Sequence, residues 1–268
     1  MATRHTPAPR HTRHPVVALL LRLRAWLLWL LVAAVLLQVF FAGRIALMAW
    51  VNPDSTAFMR SELWRRMGTP TTAAPAPKSA PRPATRPWAQ RWVDADQISV
   101  HLKRAVIAAE DDGFASHSGV DWAAMETAWQ RNQRRSVQSQ TSGRPVKLAG
   151  GSTITQQLAK NLLLSGERHL ARKAQELLIA FYLEAFLSKE RILEIYLNSV
   201  EWGDGVFGAE AAARRYFGVS ARQLNPAQAA RLAVMLPAPK AFEKRPDSPY
   251  LNRRTATILA RMGSAALP

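Results

Sequence analysis

The residues with the most chemical content lie in the stretch Glu110-Asp-Asp-Gly-Phe-Ala-Ser-His-Ser-Gly-Val-Asp121. Glu110 closes the ladder 98, 102, 106, 110. It therefore shares the core-facing row of an apolar helix that carries Ile98, Leu102, Ala105, Val106 and Ala109. A carboxylate at the mouth of an apolar wall has a raised pKa and takes a proton near neutral pH. Asp111 and Asp112 fall off that row and read as solvated, and Gly113 reads as the helix stop. A salt-bridged helix end is the competing account of Glu110. Glu110, Asp111 and His117 have no recognised metal-ligand spacing.

A second group of residues suits an anion. In Gly150-Gly-Ser-Thr-Ile-Thr-Gln-Gln-Leu-Ala-Lys-Asn161, two glycines lead into Ser152, which reads as a helix N-cap. Such a helix start offers backbone N–H groups and a positive dipole end, and Lys160 adds a cation. An ordinary capped helix with a solvated lysine accounts for the same residues equally well. Further on, Arg168, Arg172 and Glu176 are spaced four apart. They form either an i,i+4 pairing worth a few tenths of a kcal/mol or a charged row lining a cleft.

The elements that must position these groups read as mostly helical, with few strand signals. Asp96 or Ser99 caps the helix that ends at Glu110, and Asp121 caps one running through Trp122, Met125 and Trp129. That helix gives way to a basic loop over Arg131–Lys147, broken by Gly143 and Pro145. A long amphipathic helix follows over Gly166–Leu187, with Leu170, Ala174, Leu177, Leu178 and Phe181 as its core stripe. Ser188 caps the next helix, which reaches Asn198 with Ile192, Ile195 and Tyr196 inward, and residues 198–205 read as a glycine-rich loop. Helices then cover 208–217, 227–235 and 251–262.

Composition sets the location. The 268 residues carry 36 Lys and Arg against 19 Asp and Glu, a formal charge of +17. That balance suits a polyanion: nucleic acid, an anionic membrane surface or a phosphorylated substrate. The absence of cysteine excludes disulfides and thiol chemistry. Residues 1–24 are arginine-rich and free of acids, and 25–43 contain one polar residue, Gln38. As a helix this run is roughly 28 Å long, close to the hydrocarbon thickness of a bilayer. Trp26 and Trp29 stand near one end and Trp50 beyond the other, as interfacial aromatics do. The reading is an uncleaved anchor over 25–43, with the tail cytoplasmic and the remainder outside. An outward-facing domain argues against nucleic acid. Residues 44–87 read as a juxtamembrane segment and a Pro/Ala-rich linker, and 88–268 as the catalytic domain.

The motifs resemble those of the peptidoglycan glycosyltransferases of family 51, which polymerise cell-wall glycan from lipid II. Glu110-Asp111-x-x-Phe114-x-x-His117-x-Gly119-x-Asp121 is similar to the first motif, and Gly150–Asn161 to the second. Arg172-Lys173-x-x-Glu176, Ile192–Asn198, and Arg215–Gly218 with Leu232-Ala233 are similar to the remaining three. Residues 201–210 resemble the monofunctional Gram-negative branch, and the chain ends where bifunctional relatives add a transpeptidase domain. Gln228 stands where many relatives have Glu, and the 131–147 segment and the proline-rich linker are unusual.

The resemblance implies a mainly α, lysozyme-like, two-lobed domain behind a single N-terminal transmembrane helix. It implies Glu110 as the base acting on the 4-hydroxyl of lipid II, with inversion at the donor and departure of undecaprenyl pyrophosphate. It makes Glu176 the second essential acid. Lys160, Arg168 and Arg172 would hold the diphosphate, Ser152, Thr153, Gln156 and Gln157 would contact the donor, and His117 would be structural. No cofactor is required; a divalent ion, Mg2+ or Mn2+, on the donor diphosphate is compatible with this reading. The implied setting is the inner membrane with a periplasmic catalytic domain. The implied partners are lipid II, the lipid-linked glycan, the membrane, and proteins of wall synthesis and division. A lysozyme-like lytic enzyme and a non-catalytic membrane-anchored scaffold are the alternatives.

Overall fold

The computed structural model describes residues 15–68, 88–142, 151–164 and 170–268. The tail arginines 4, 10 and 13, the linker after Gly68, Gly143 to Gly150, and Arg168 lie outside the described residues. The chain divides into two compact units, Met1–Arg44 and Ile45–Pro268.

The first unit is dominated by α1 (Pro15–Leu47), a helix of 33 residues. Its stretch Leu19–Leu47 has a mean hydropathy of 2.4, and Trp26 and Trp29 are exposed. At 1.5 Å per residue the helix is about 50 Å long, longer than a bilayer core. It contains the expected 25–43 span and continues past Arg22 and Arg24 at one end and Arg44 at the other.

The second unit begins earlier than Trp88. Ile45 and Met48 join its core, and α2 (Ala57–Gly68) packs into it through Thr56, Met59 and Glu62, all buried. The chain resumes with β1 (Ala89–Gln90), then α3 (Val100–Glu110), α4 (Trp122–Ser142), α5 (Ile154–Leu163), α6 (Leu170–Phe186) and α7 (Lys189–Ser199). It closes with β2 (Glu201–Gly203), β3 (Val206–Phe207), α8 (Ala209–Phe217), α9 (Pro226–Met235), α10 (Pro239–Glu243) and α11 (Pro249–Arg261).

The fold is mainly α. The core of α3 is Leu102, Ala105, Val106 and Ile107, packed on α9 and α11. Ala229, Ala230 and Ala233 keep the α9 surface thin, so the two helices approach closely. Removing a side chain such as Leu102 from that seam costs about 2–5 kcal/mol. On the other side, α5 buries Ile154, Leu158 and Leu162 against α6, α7 and α2.

Residues 198–205, expected as a loop, instead hold the end of α7 and the strand β2, which joins a small sheet in the order β1-β3-β2, with β1 parallel and β2 antiparallel to β3. Gly208 leaves it at φ 82°, where a Cβ would lie 2.7 Å from the Asn198 carbonyl oxygen, so only glycine fits. Gln228 completes a capping box with Asn225, a task Gln performs as well as Glu.

Three further expectations are corrected. Residues 131–142 continue α4 as a helix; i,i+4 contacts such as Arg131 Nε to the Thr127 carbonyl and Gln130 to Glu126 support a polar helix there. On α6 the buried row is Glu176, Ile179, Ala180 and Leu183, while Ala174, Leu178 and Phe181 face outward. The start of this expected helix, Gly166, and the Leu170 side chain lie outside the described residues. Finally, α3 ends at Glu110 as expected, but the residue that stops it is Asp111, its C-cap, rather than Gly113.

Candidate active site

Ser99 caps α3 by accepting the His101 N–H and donates its own hydroxyl to the Leu224 carbonyl, 2.9 Å away. The helix is thereby fixed at its start, and its last residue is Glu110. Beyond it the backbone turns and Asp111 points inward, contrary to its expected solvation. Only 8% of Asp111 is exposed. Its Oδ2 accepts the Ile154 N–H of α5 at 2.9 Å, and both carboxylate oxygens contact His117 Nε2, at 2.9 and 3.1 Å. A carboxylate at a helix N-terminus is favoured by the dipole, so Asp111 staples the end of α3 to the start of α5. His117 serves this staple from the structural position expected of it. Asp112 is solvated as expected and pairs with Arg261.

The cap of α5 is Thr153 rather than Ser152. Thr153 and Gln156 form a full capping box, and the Thr153 hydroxyl donates to the Gly119 carbonyl at 2.7 Å. Gly119 sits at φ 83°, and a Cβ there would come within 3.0 Å of Glu184 Cγ. Thr153 and Gln156 are therefore almost wholly buried and act first as structure. Ser152 stays exposed.

One turn into α5, Gln157 Nε2 donates to Glu110 Oε2 at 2.9 Å. The buried Tyr196 hydroxyl donates to Gln157 Oε1 at 3.0 Å, which turns the amide so that its NH2 faces the carboxylate. Burial pushes the Glu110 carboxyl above its ordinary range; the Gln157 bond, Arg254 and Lys160 oppose that shift, and Asp111 adds to it. Burial first, then Glu110 and Asp111, push the Tyr196 hydroxyl well up, so it remains a donor at neutral pH.

Two cavities meet here. One, of about 240 Å³, is lined by Glu110, Asp111, Ser152, Arg131, Arg254 and Arg261 among others. The other, of about 430 Å³, is lined by Phe58, Gln157, Lys160, Asn161, Arg172, Lys173 and Glu176, with Ser152 and Gln156. Ser152 belongs to both, so they adjoin. Glu176 is 4% exposed and is held by Arg172 at 3.4 Å and by Lys173. Of the residues singled out from sequence, Ser152, Gln156, Gln157, Lys160, Arg172 and Glu176 line the second cavity. Glu110 and Thr153 line the first, and Arg168 lies outside the described residues. Sequence reasoning missed Asp111, Lys173, Arg254 and the supporting role of Tyr196. Lys173 was within reach of the i,i+3 rule from Glu176. The partners of the others are distant in sequence.

A carboxylate made more basic by burial, beside a cation-lined cavity, can take a proton from a hydroxyl while the cations accept an anionic leaving group. Glu176, the carboxylate of the cationic cavity, is engaged by Arg172 and Lys173. Glu62, Glu201 and Asp204 place carboxylate oxygens within 4.8 Å of one another. Lys240 Nζ already sits among them, 2.7 Å from Glu62, 3.2 Å from Glu201 and 4.0 Å from Asp204.

Comparison with known proteins identifies the family. The profile of the family described as Transglycosylase matches residues 82–263. A biosynthetic peptidoglycan transglycosylase of Herminiimonas arsenicoxydans is 49% identical over 250 residues, covering 92% of this chain and 99% of the relative. Proteins of the same description from Ralstonia nicotianae and Burkholderia orbicola are 53% and 51% identical, over 87% and 86% of this chain and 93% and 85% of theirs. The chain belongs to the transglycosylase family, whose lysozyme-like domain polymerises the glycan of the cell wall.

Proposed function

We propose that the chain extends glycan strands from lipid II, with Glu110 as the base and the Lys160–Arg172 cavity as the seat of the donor diphosphate. The observation that carries this reading is Gln157, which lines the cationic cavity and holds the Glu110 carboxylate at 2.9 Å. Base and leaving-group site are therefore in register through one side chain.

The acceptor sugar lies in the Glu110 cavity with its 4-hydroxyl toward the carboxylate. Glu110 takes the hydroxyl proton as that oxygen bonds to C1 of the lipid-linked chain. The bond from C1 to the diphosphate oxygen breaks, its electron pair leaves with undecaprenyl pyrophosphate, and the configuration at C1 inverts. Arg172 and Lys160 stabilise the charge that develops on the diphosphate, Arg through its two-pronged grip on phosphate oxygens. The family resemblance assigns Arg168, outside the described residues, to the same cationic set. Glu176 keeps Arg172 and Lys173 oriented. Ser152 and Gln157 contact the donor, while Thr153 and Gln156 shape the helix end it meets. An Mg2+ or Mn2+ ion travelling with the donor would be held by the diphosphate itself.

The basic N-terminal tail favours a cytoplasmic N-terminus, which puts the catalytic unit on the periplasmic face of the inner membrane, next to other proteins of wall synthesis and division. The test is incubation of the purified full chain with labelled lipid II and sizing of the product. Long glycan with release of the lipid diphosphate is expected. Cleavage of finished cell wall without polymerisation would assign the chain to the lytic alternative, and neither activity would leave a scaffold.

A further inference from the structure

The segment that delivers α2 lies upstream of residue 82, where the family match begins. It is nevertheless part of the catalytic unit. Thr56 caps α2 by accepting the Met59 N–H at 3.0 Å, and Met59 and Glu62, three apart, point inward at 1% and 5% exposure. Glu62 is a bolt. It binds Arg65 and Lys240, and these contacts, Arg65 first, hold its carboxyl down at about 2. One turn on, Arg66 reaches Asp204 at 2.7 Å and lies over the Trp88 ring. Charged contacts thus fix α2 to the β2–β3 turn and to α10.

This bolting presents Phe58 to the cavity lined by Lys160, Arg172, Lys173 and Glu176. Phe58 is half-buried, its ring edge-on to Phe207 at 6.2 Å. Packing on Phe207 alone would explain an aromatic here, but it would not require the ring to line a charged cleft. A diphosphate has no use for an apolar wall; the hydrocarbon attached to it does. The outer surface of α2 has the same character. Leu63, Trp64 and Met67 are 44%, 70% and 67% exposed, and Trp50 ahead of the helix is 82% exposed. These exposed apolar side chains suit a surface that meets lipid.

We infer that Phe58 is a positioning residue for the donor, packing on the isoprenoid units next to the diphosphate, and that α2 is the wall that supplies it. This rests on the assignment of the cationic cavity to the donor diphosphate. It is read by competition in the full chain in detergent, with farnesyl pyrophosphate and inorganic pyrophosphate as inhibitors of lipid II polymerisation. In Phe58→Ala and Phe58→Gln the inhibition constant for farnesyl pyrophosphate rises about tenfold, equivalent to about 1.4 kcal/mol, relative to that for inorganic pyrophosphate. The loss of turnover falls on KM more than on kcat. The ratio of the two constants does not depend on how much of the protein is folded, so it remains readable if a variant is less stable. An unchanged ratio, with both inhibitors weakened equally or not at all, overturns the role of Phe58. Lys160→Ala is the control: it weakens both inhibitors, and if it weakens neither, the donor-site assignment fails instead.

Discussion

The two sides of the catalytic cleft are built from different physics. The Glu110 side is an apolar wedge: α3 against the alanine-rich face of α9 and against α11, with one amide, Gln157, on the carboxylate. The Glu176 side is ionic: a buried carboxylate held by Arg172 and Lys173, and, on α2, Glu62 held by Arg65 and Lys240. The outcome for a carboxyl group is opposite in the two settings. Burial raises Glu110, whereas guanidinium and ammonium partners hold Glu62 at about 2. The fold thereby keeps one acid ready to accept a proton and uses others as permanent charges that orient cations.

The comparison can be broken from the ionic side first. Lys160→Ala and Arg172→Ala each remove a cation from the leaving-group cavity, and each should lower kcat for polymerisation by about 10²-fold or more with little change in melting temperature. The next effect comes from the staple and falls on stability more than on activity. Asp111→Ala leaves His117 and the Ile154 N–H without their acceptor and should cost about 1–3 kcal/mol in denaturant unfolding, with Glu110 displaced from Gln157. Tyr196→Phe removes only the hydroxyl bond to Gln157; about 1 kcal/mol, or a several-fold drop in kcat/KM, is expected from steady-state rates. The last effect is pH-linked. The folded-state pKa of Glu62 lies below its unfolded value, so the stability it contributes is present above about pH 4.5 and is lost as pH falls through about 2. Glu62→Gln should accordingly lower stability above about pH 4.5, converge on the parent near pH 2, and so flatten the acid limb of the stability curve.

Much of this cleft was legible in the sequence because its signals are local. The 98-102-106-110 ladder has the helical period, and it puts Glu110 on the core row whatever else folds around it. The spacing of Arg172 and Glu176 gave the contact that they make. What failed depended on partners far away. Asp111 looks solvated on its own helix; it is buried because the start of α5 arrives 43 positions later to meet it. Glu62 reads as one acid in a mixed segment, and its bolt, Lys240, lies 178 positions on. On α6, periodicity fits two faces. The face chosen by hydrophobicity, with Leu178 and Phe181, is the exposed one, because the buried row includes the charged Glu176. Arg131–Ser142 lacked an apolar stripe and so read as a loop, but i,i+4 polar contacts sustain a helix without one.

The central claim is that a carboxyl raised by burial takes the acceptor proton. The pKa of Glu110 is raised in the folded protein, so the group costs stability as pH rises above its unfolded value, and Glu110→Gln should melt no lower than the parent at neutral pH. The direct test is kcat/KM for lipid II polymerisation by that variant beside the parent. A fall of about 10²–10⁴-fold in a fully folded Glu110→Gln protein is predicted. Turnover within tenfold of the parent would contradict the account and take the base role away from Glu110.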